Sequence, residues 1–298
     1  MSFRCFAKTS TPTTRLMIRP LLIAALCASV TVPATAATLF GVTTDNRLVS
    51  FDTAAPATFL TDFAITGLKM SDGVTADPGA SLLNLTYHAT SNLHYGIDSN
   101  ANFYSVGRNG VATFIDNTFS PTGFAAGFAY DPFSDKMLFA SDTAENILFA
   151  TNGTRTNNAA LVFGTGDANS GTAPKIFGAG IDPDFGNAFF VDADLDILAN
   201  SIDPNFSELF TVGALGVNVA SFGGLVVDAD GILWGSLSTD GLVSSLFSIN
   251  TTTGAATSIG GFGAGVGIQS IAAVPEPSRA LFLGMAFAGL AFRRRRSA

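Results

Sequence analysis

Residues 127–132 read Gly-Phe-Ala-Tyr-Asp-Pro, and the same short phrase returns in altered form along the chain. It is NLTYHA from Asn84, GAGIDP from Gly178, GLVVDA from Gly224 and GIQSIA from Gly267, with successive starts 43, 51, 46 and 43 residues apart. Between recurrences lie further short apolar runs: MLFASD from Met137, ILFAT from Ile147, AFFVDA from Ala188, ILWGSL from Ile232. Each run is rich in aromatic or β-branched residues and is bounded by Asp, Asn, Gly or Pro, which is how a strand ending in a turn reads. Asn109-Gly110 and Asp230-Gly231 mark tight hairpin bends. No convincing amphipathic helix occurs between Thr38 and Ala273. Three strand-like runs follow each of the first four recurrences, and a period of about 40 to 50 residues holding four strands is the mark of a β-propeller blade.

The two ends of this pattern are complementary. Leu39 already begins what looks like a second strand, whereas GIQSIA has no strands after it. Residues 265–273 are therefore expected to supply the missing strand to the blade begun at Thr38, closing a ring of five blades and hiding its edges. The alternative is an irregular β-sandwich, since the repeats diverge.

The segments outside this region have a different character. Arg4, Lys8, Arg15 and Arg19 precede an apolar run over residues 21–32, and Ala34-Thr35-Ala36 gives a small-x-small pattern. This predicts a secretory signal peptide over residues 1–36, handled by the Sec translocon and cut by signal peptidase after Ala36 or Ala37. Leu26 before Cys27 is too large for a lipobox. Both cysteines, Cys5 and Cys27, fall in the leader, so the mature chain can form no disulfide and must rely on an apolar core. Residues 37–273 then carry 6 basic and 22 acidic side chains, a net charge of −16. Such a surface repels a phosphate backbone, which excludes nucleic acid as a partner.

The C-terminal stretch reads Val274-Pro275-Glu276-Pro277, then an apolar segment over 280–292, then Arg293, Arg294, Arg295 and Arg296. The segment is short against the roughly 20 residues that usually span a bilayer. The arginine cluster after it would hold that end on the cytoplasmic side. This three-part order resembles the PEP-CTERM sorting signal of Gram-negative bacteria, with Arg279 a departure from the usual small or polar residue. The resemblance implies that residues 274–298 are a sorting signal recognised by exosortase, a membrane-embedded cysteine-type transpeptidase. It also implies transient inner-membrane anchoring, and delivery to the cell surface or the medium in an organism that makes exopolysaccharide, biofilm or flocs. The middle of the chain resembles a family of bacterial secreted domains often found before such tails, through LFGVTTDNRLVSFDT (39–53) and SSLFSINTTTGAATSIG (244–260). No activity accompanies that resemblance.

Little in residues 37–273 suits nucleophilic catalysis. The histidines are His88 and His94, and neither a Gly-x-Ser-x-Gly elbow nor a His-Glu-x-x-His motif is present. Alternation in LHYGID predicts that His94 faces solvent; His88 stands where other blades have Asp131, Asp182 and Asp228, which suggests a turn role. Trp234 is expected to pack between blades. Asp192, Asp194 and Asp196 have the alternate spacing that can place oxygens round calcium, yet the loop lacks the glycine and bidentate glutamate of an EF-hand. An Asp follows the second strand of each expected blade: Asp45, Asp98, Asp142, Asp192 and Asp240. On one face of a ring these could form a cation-attracting mouth with calcium as cofactor, or could simply start turns by accepting backbone N–H groups. The functional expectation is a non-enzymatic surface or matrix protein with exopolysaccharide as partner. The alternative is a secreted cation-dependent hydrolase or lyase on a propeller scaffold.

Overall fold

The structure is a computed structural model and describes residues 37–123 and 125–274. The expected leader, including Ala34 and Ala36, lies outside the described residues. So do Pro275, Glu276, Pro277, the apolar segment 280–292 and Arg293 to Arg296. Among the described residues no helix is long and apolar enough to cross a membrane.

Five small sheets stand round a common axis. The first contains β1 (Thr38–Thr43), β2 (Arg47–Asp52) and β3 (Phe59–Ala64). The second contains β4 (Thr86–His88), β5 (Leu93–Ile97), β6 (Phe103–Val106) and β7 (Ala112–Asp116). The third runs through β8 (Ala126–Asp131), β9 (Lys136–Ser141), β10 (Asn146–Phe149) and β11 (Arg155–Asn157). The fourth has β12 (Val162–Phe163), β13 (Ile176–Ile181), β14 (Ala188–Asp192), β15 (Ile197–Ser201) and β16 (Glu208–Ala214). The fifth has β17 (Gly223–Val227), β18 (Leu233–Leu237), β19 (Ser245–Ile249) and β20 (Ala256–Gly261), after which β21 (Ile268–Ala273) returns to the first. The recurring phrase of the sequence thus supplies the innermost strands β4, β8, β13, β17 and β21, which neighbour one another in a closed circuit.

Closure is made by β21, which pairs antiparallel with β1 from Leu39↔Ala273 to Thr43↔Ile268. The five-bladed propeller expected from the repeat is the observed fold, and the sandwich is not. One blade departs from the four-strand expectation: β12 adds a fifth strand to the fourth sheet by pairing parallel to the outer strand β16. The connection that carries it accounts for the longest spacing in the repeat, the 51 residues from Gly127 to Gly178. Thr66 similarly runs parallel along the edge of the second blade, bridging to Val111. Both additions cover outer backbone groups that would otherwise offer a pairing edge.

The core lies between blades. Its buried side chains fall into five clusters, one at each blade-to-blade interface, and successive residues of a strand feed different clusters. Leu39 joins Trp234, Phe51 and Ile271 at one interface, while its neighbour Phe40 joins Val42, Tyr87 and Ala272 at the next. Phe128 and Ala129 divide in the same way. A sheet covered on both faces needs apolar residues at consecutive positions, which is why these strands read as unbroken runs. Outer strands such as β3 and β20 are largely exposed, so burial falls off with distance from the axis. Near the axis the inner strands approach closely. A Cβ on Gly127 would stand 2.1 Å from the backbone nitrogen of Ala179 in the next blade.

Candidate functional site

The propeller presents two opposite mouths on its axis. The upper face is defined here by the loops that follow the second strand of each blade and by the starts of the inner strands. The lower face carries the ends of the inner strands and the loops leaving them.

The five aspartates singled out by the repeat belong to upper-face loops, but most of them serve their own turns. Asp192 accepts the backbone N–H groups of Lys175, Asp194 and Leu195 at 2.8, 3.0 and 3.1 Å. Asp240 accepts those of Leu242 and Val243 at 2.8 and 3.0 Å, and these bonds hold its carboxyl below the ordinary range. Asp98 is buried and accepts the N–H groups of Asn100 and Asn102 and the hydroxyl of Tyr104. Burial raises its pKa, against the pull of those donors. Asp45 accepts the Thr43 hydroxyl, and Asp196 the N–H of Val219 at 2.7 Å. Among the described residues no three His, Cys, Asp or Glu side chains converge in a group that could hold a metal ion. The acidic mouth of five carboxylates is therefore not formed, and neither is a cage from Asp192, Asp194 and Asp196. These short loops need acceptors for their backbone donors, and the aspartates answer that need.

Asp142 is the exception. It lines a cavity of about 370 Å³ at the upper mouth together with Asn84, Ser221, Phe222 and Gln269. Among the described residues its Oδ1 is buried without a hydrogen-bond partner. The two amides are oriented from behind: Asn84 Nδ2 donates to the carbonyl of Ala126 at 2.6 Å, and Gln269 Nε2 to that of Leu82 at 2.7 Å. With both nitrogens committed to backbone carbonyls, the amide oxygens remain as acceptors beside the Asp142 carboxylate. The mouth thus combines acceptor oxygens with the aromatic ring of Phe222, a combination suited to a ligand rich in hydroxyl donors.

The lower mouth is different in kind. A cavity of about 220 Å³ is lined by one or more residues from the end of each inner strand, among them Tyr87, Tyr130, Ile181, Val227 and Ile271. The acidic residues of these loops again serve the backbone. Asp131 accepts the N–H of Phe133, Asp182 those of Asp184 and Phe185, and Asp228 those of Asp230 and Ile232. Asp228 also accepts the indole N–H of Trp234 at 2.7 Å, which fixes that ring between the first and fifth blades as expected. His88 takes the equivalent turn position, its Nδ1 accepting the N–H of Ser91 at 3.2 Å while Nε2 lies 3.3 Å from Asp135. His94 corrects the sequence reading: it is fully buried, 4.8 Å from the ring of Phe40 and 5.4 Å from that of Tyr87. Burial, with the charge of Arg108, lowers its pKa to about 4.

A family model described as a domain of unknown function (DUF4394) matches residues 47–272, nearly the whole ring. The chain belongs to the DUF4394 family. No curated protein matches it by sequence. Among solved structures, a chain of the nidogen/laminin complex is similar at 14 % identity and a TM-score of 0.48, over 81 % of this chain and 99 % of that one. A catalytically inactive virginiamycin B lyase from Staphylococcus aureus, with quinupristin, is similar at 12 % identity and a TM-score of 0.42, over 75 % and 70 %. A protein of unknown function from Bacteroides thetaiotaomicron is similar at 17 % identity and a TM-score of 0.44, over 66 % and 55 %. These are likenesses of chain path alone.

Two upper-mouth residues of this DUF4394 propeller escaped the sequence reading, Asn84 and Gln269. A signal for them was present. Both stand near the start of an inner strand, where the other blades place Ala126, Phe177 and Gly223. A polar side chain at a position otherwise filled by apolar or small residues next to a closed axis needs a partner or a ligand.

Proposed function

We propose that this protein is a non-enzymatic binding module exported from a Gram-negative cell, processed by exosortase at Val274-Pro275-Glu276-Pro277, and placed at the surface or in the matrix to hold polysaccharide. The observation that carries the binding role is the upper mouth. Asn84 and Gln269 have their amide nitrogens tied to backbone carbonyls, which leaves side-chain oxygens and the Asp142 carboxylate to accept sugar hydroxyls. The net charge of −16 over residues 37–273 favours a neutral or amino-bearing glycan over an anionic one. Delivery rests on the tail and leader motifs. The binding role is favoured over a cation-dependent hydrolase because Asp98, Asp192 and Asp240 are engaged by their own loops.

Affinity for the host's own exopolysaccharide tests the binding role. Asp142→Ala and Gln269→Ala should each weaken co-sedimentation with it, the former about tenfold, as expected for losing a hydrogen bond to a charged acceptor. Unchanged binding in both variants would contradict the assignment of the upper mouth.

A further inference from the structure

The lower mouth has no part in that reading, yet it has the makings of a second site. Its cavity of about 220 Å³ is walled by apolar side chains and by the rings of Tyr87 and Tyr130. The loops at its rim carry apolar residues between their turn-forming aspartates. Pro132 and Pro183 line the opening, and Phe133, next after Pro132, and Phe185, two residues after Pro183, are 68 % and 78 % exposed. Phe133 leans across to the neighbouring blade, where a Cβ on Gly186 would stand 3.2 Å from its ring.

Most charges near this opening already have partners. Tyr130 donates to Asp135 at 2.9 Å, Lys136 reaches Thr156 at 3.4 Å, and Arg108 lies 5.8 Å from the centre of the Tyr87 ring while donating to Asn92. Asp184 differs. It is an exposed residue of the cavity's lining, and its carboxylate has no hydrogen-bond or ion-pair partner among the described residues; only its backbone N–H is engaged, by Asp182. An apolar well edged by aromatic rings, with one uncommitted carboxylate at its lip, is complementary to an apolar group that carries a positive charge. The volume admits one ring or a short alkyl chain.

We propose that the lower axial cavity binds a small apolar ammonium ion, an arylalkyl or alkyl amine, with the hydrocarbon part between Tyr87, Tyr130 and Ile271 and the ammonium group at Asp184. The site goes beyond the polysaccharide reading and stands without it. The test uses protein isolated from its host and three probes of one shape: 2-phenylethylamine, 2-phenylethanol and 3-phenylpropionate, titrated calorimetrically. The amine should bind about tenfold tighter than the alcohol, the combined effect of ring faces and carboxylate, and the carboxylate probe weakest. Asp184→Asn should bring amine and alcohol within about threefold of each other. Ala229→Trp, at an exposed position of the cavity wall, should abolish binding of all three and leave the unfolding transition unchanged. Equal affinity for amine and alcohol, amine binding that survives Ala229→Trp, or absence of binding by all three would each overturn the proposal.

Discussion

The carboxylate of Asp228 accepts two backbone N–H groups and the indole N–H of a buried tryptophan. Removing it leaves those donors unsatisfied in a place water reaches poorly. Asp228→Ala is expected to cost about 3 kcal/mol, read from the urea midpoint, and Asp228→Asn, which keeps an acceptor oxygen, about half as much. His94 makes a second prediction through pH. Its folded pKa of about 4 lies below the unfolded value of 6.5, so the unfolded chain takes up the proton first. Acidification from pH 6.5 to 4 should therefore draw the protein towards unfolding by roughly 3 kcal/mol, and below pH 4 this contribution stops growing. Asp98, raised by burial, works in the opposite direction over the lower part of that window. Carboxylates held low by hydrogen bonds, such as Asp240, lose their contribution only as the pH falls further. His94→Phe should flatten the stability profile between pH 6.5 and 4; parallel profiles for the two proteins would show that His94 is not buried neutral. The sequence misplaced this residue because alternation separates inside from outside only when one face of a sheet meets water. In a propeller both faces are covered, and His94 simply feeds the interface next to the one that takes Tyr95.

At the scale of strands, the recurrence in the sequence was legible because inner strands meet the same demand five times: apolar, small where neighbours approach, and followed by a turn acceptor. Gly127 shows the limit of that spacing. Gly127→Val would force β8 away from β13, and the variant should lose at least 3 kcal/mol or fail to accumulate as folded protein, since the obstructing atom is backbone. The closing strand makes a companion prediction. Ile271 is buried between the first and fifth blades, and Ile271→Ala should cost about 2 to 4 kcal/mol in chemical denaturation. A negligible cost would mean that β21 is not the closing strand. Strand β12 was invisible in the sequence for a physical reason. Two residues paired parallel to an outer strand carry no periodicity, and only the longer spacing before Gly178 hinted that the connection held something extra.

Across the whole molecule, the repeat foretold that loops would gather on two faces, but not which side chains would be left over once the turns had taken their acceptors. Five aspartates at equivalent positions suggested a shared site. Local hydrogen bonds engage four of them individually, and the upper mouth is built from the fifth, Asp142, with two amides that break the pattern of the inner strands. The two mouths differ in chemistry: acceptor oxygens above, an apolar well with one carboxylate below. Both are compatible with the binding role proposed above. The measurement that tests this account most directly is the intact mass of the protein from its native host, taken from the cell-surface fraction and from the medium. The account predicts a chain that begins at Ala37 or Thr38 and ends close to Val274, with any added mass identifying what exosortase joined to it. A chain still carrying Arg293 to Arg296 would contradict it.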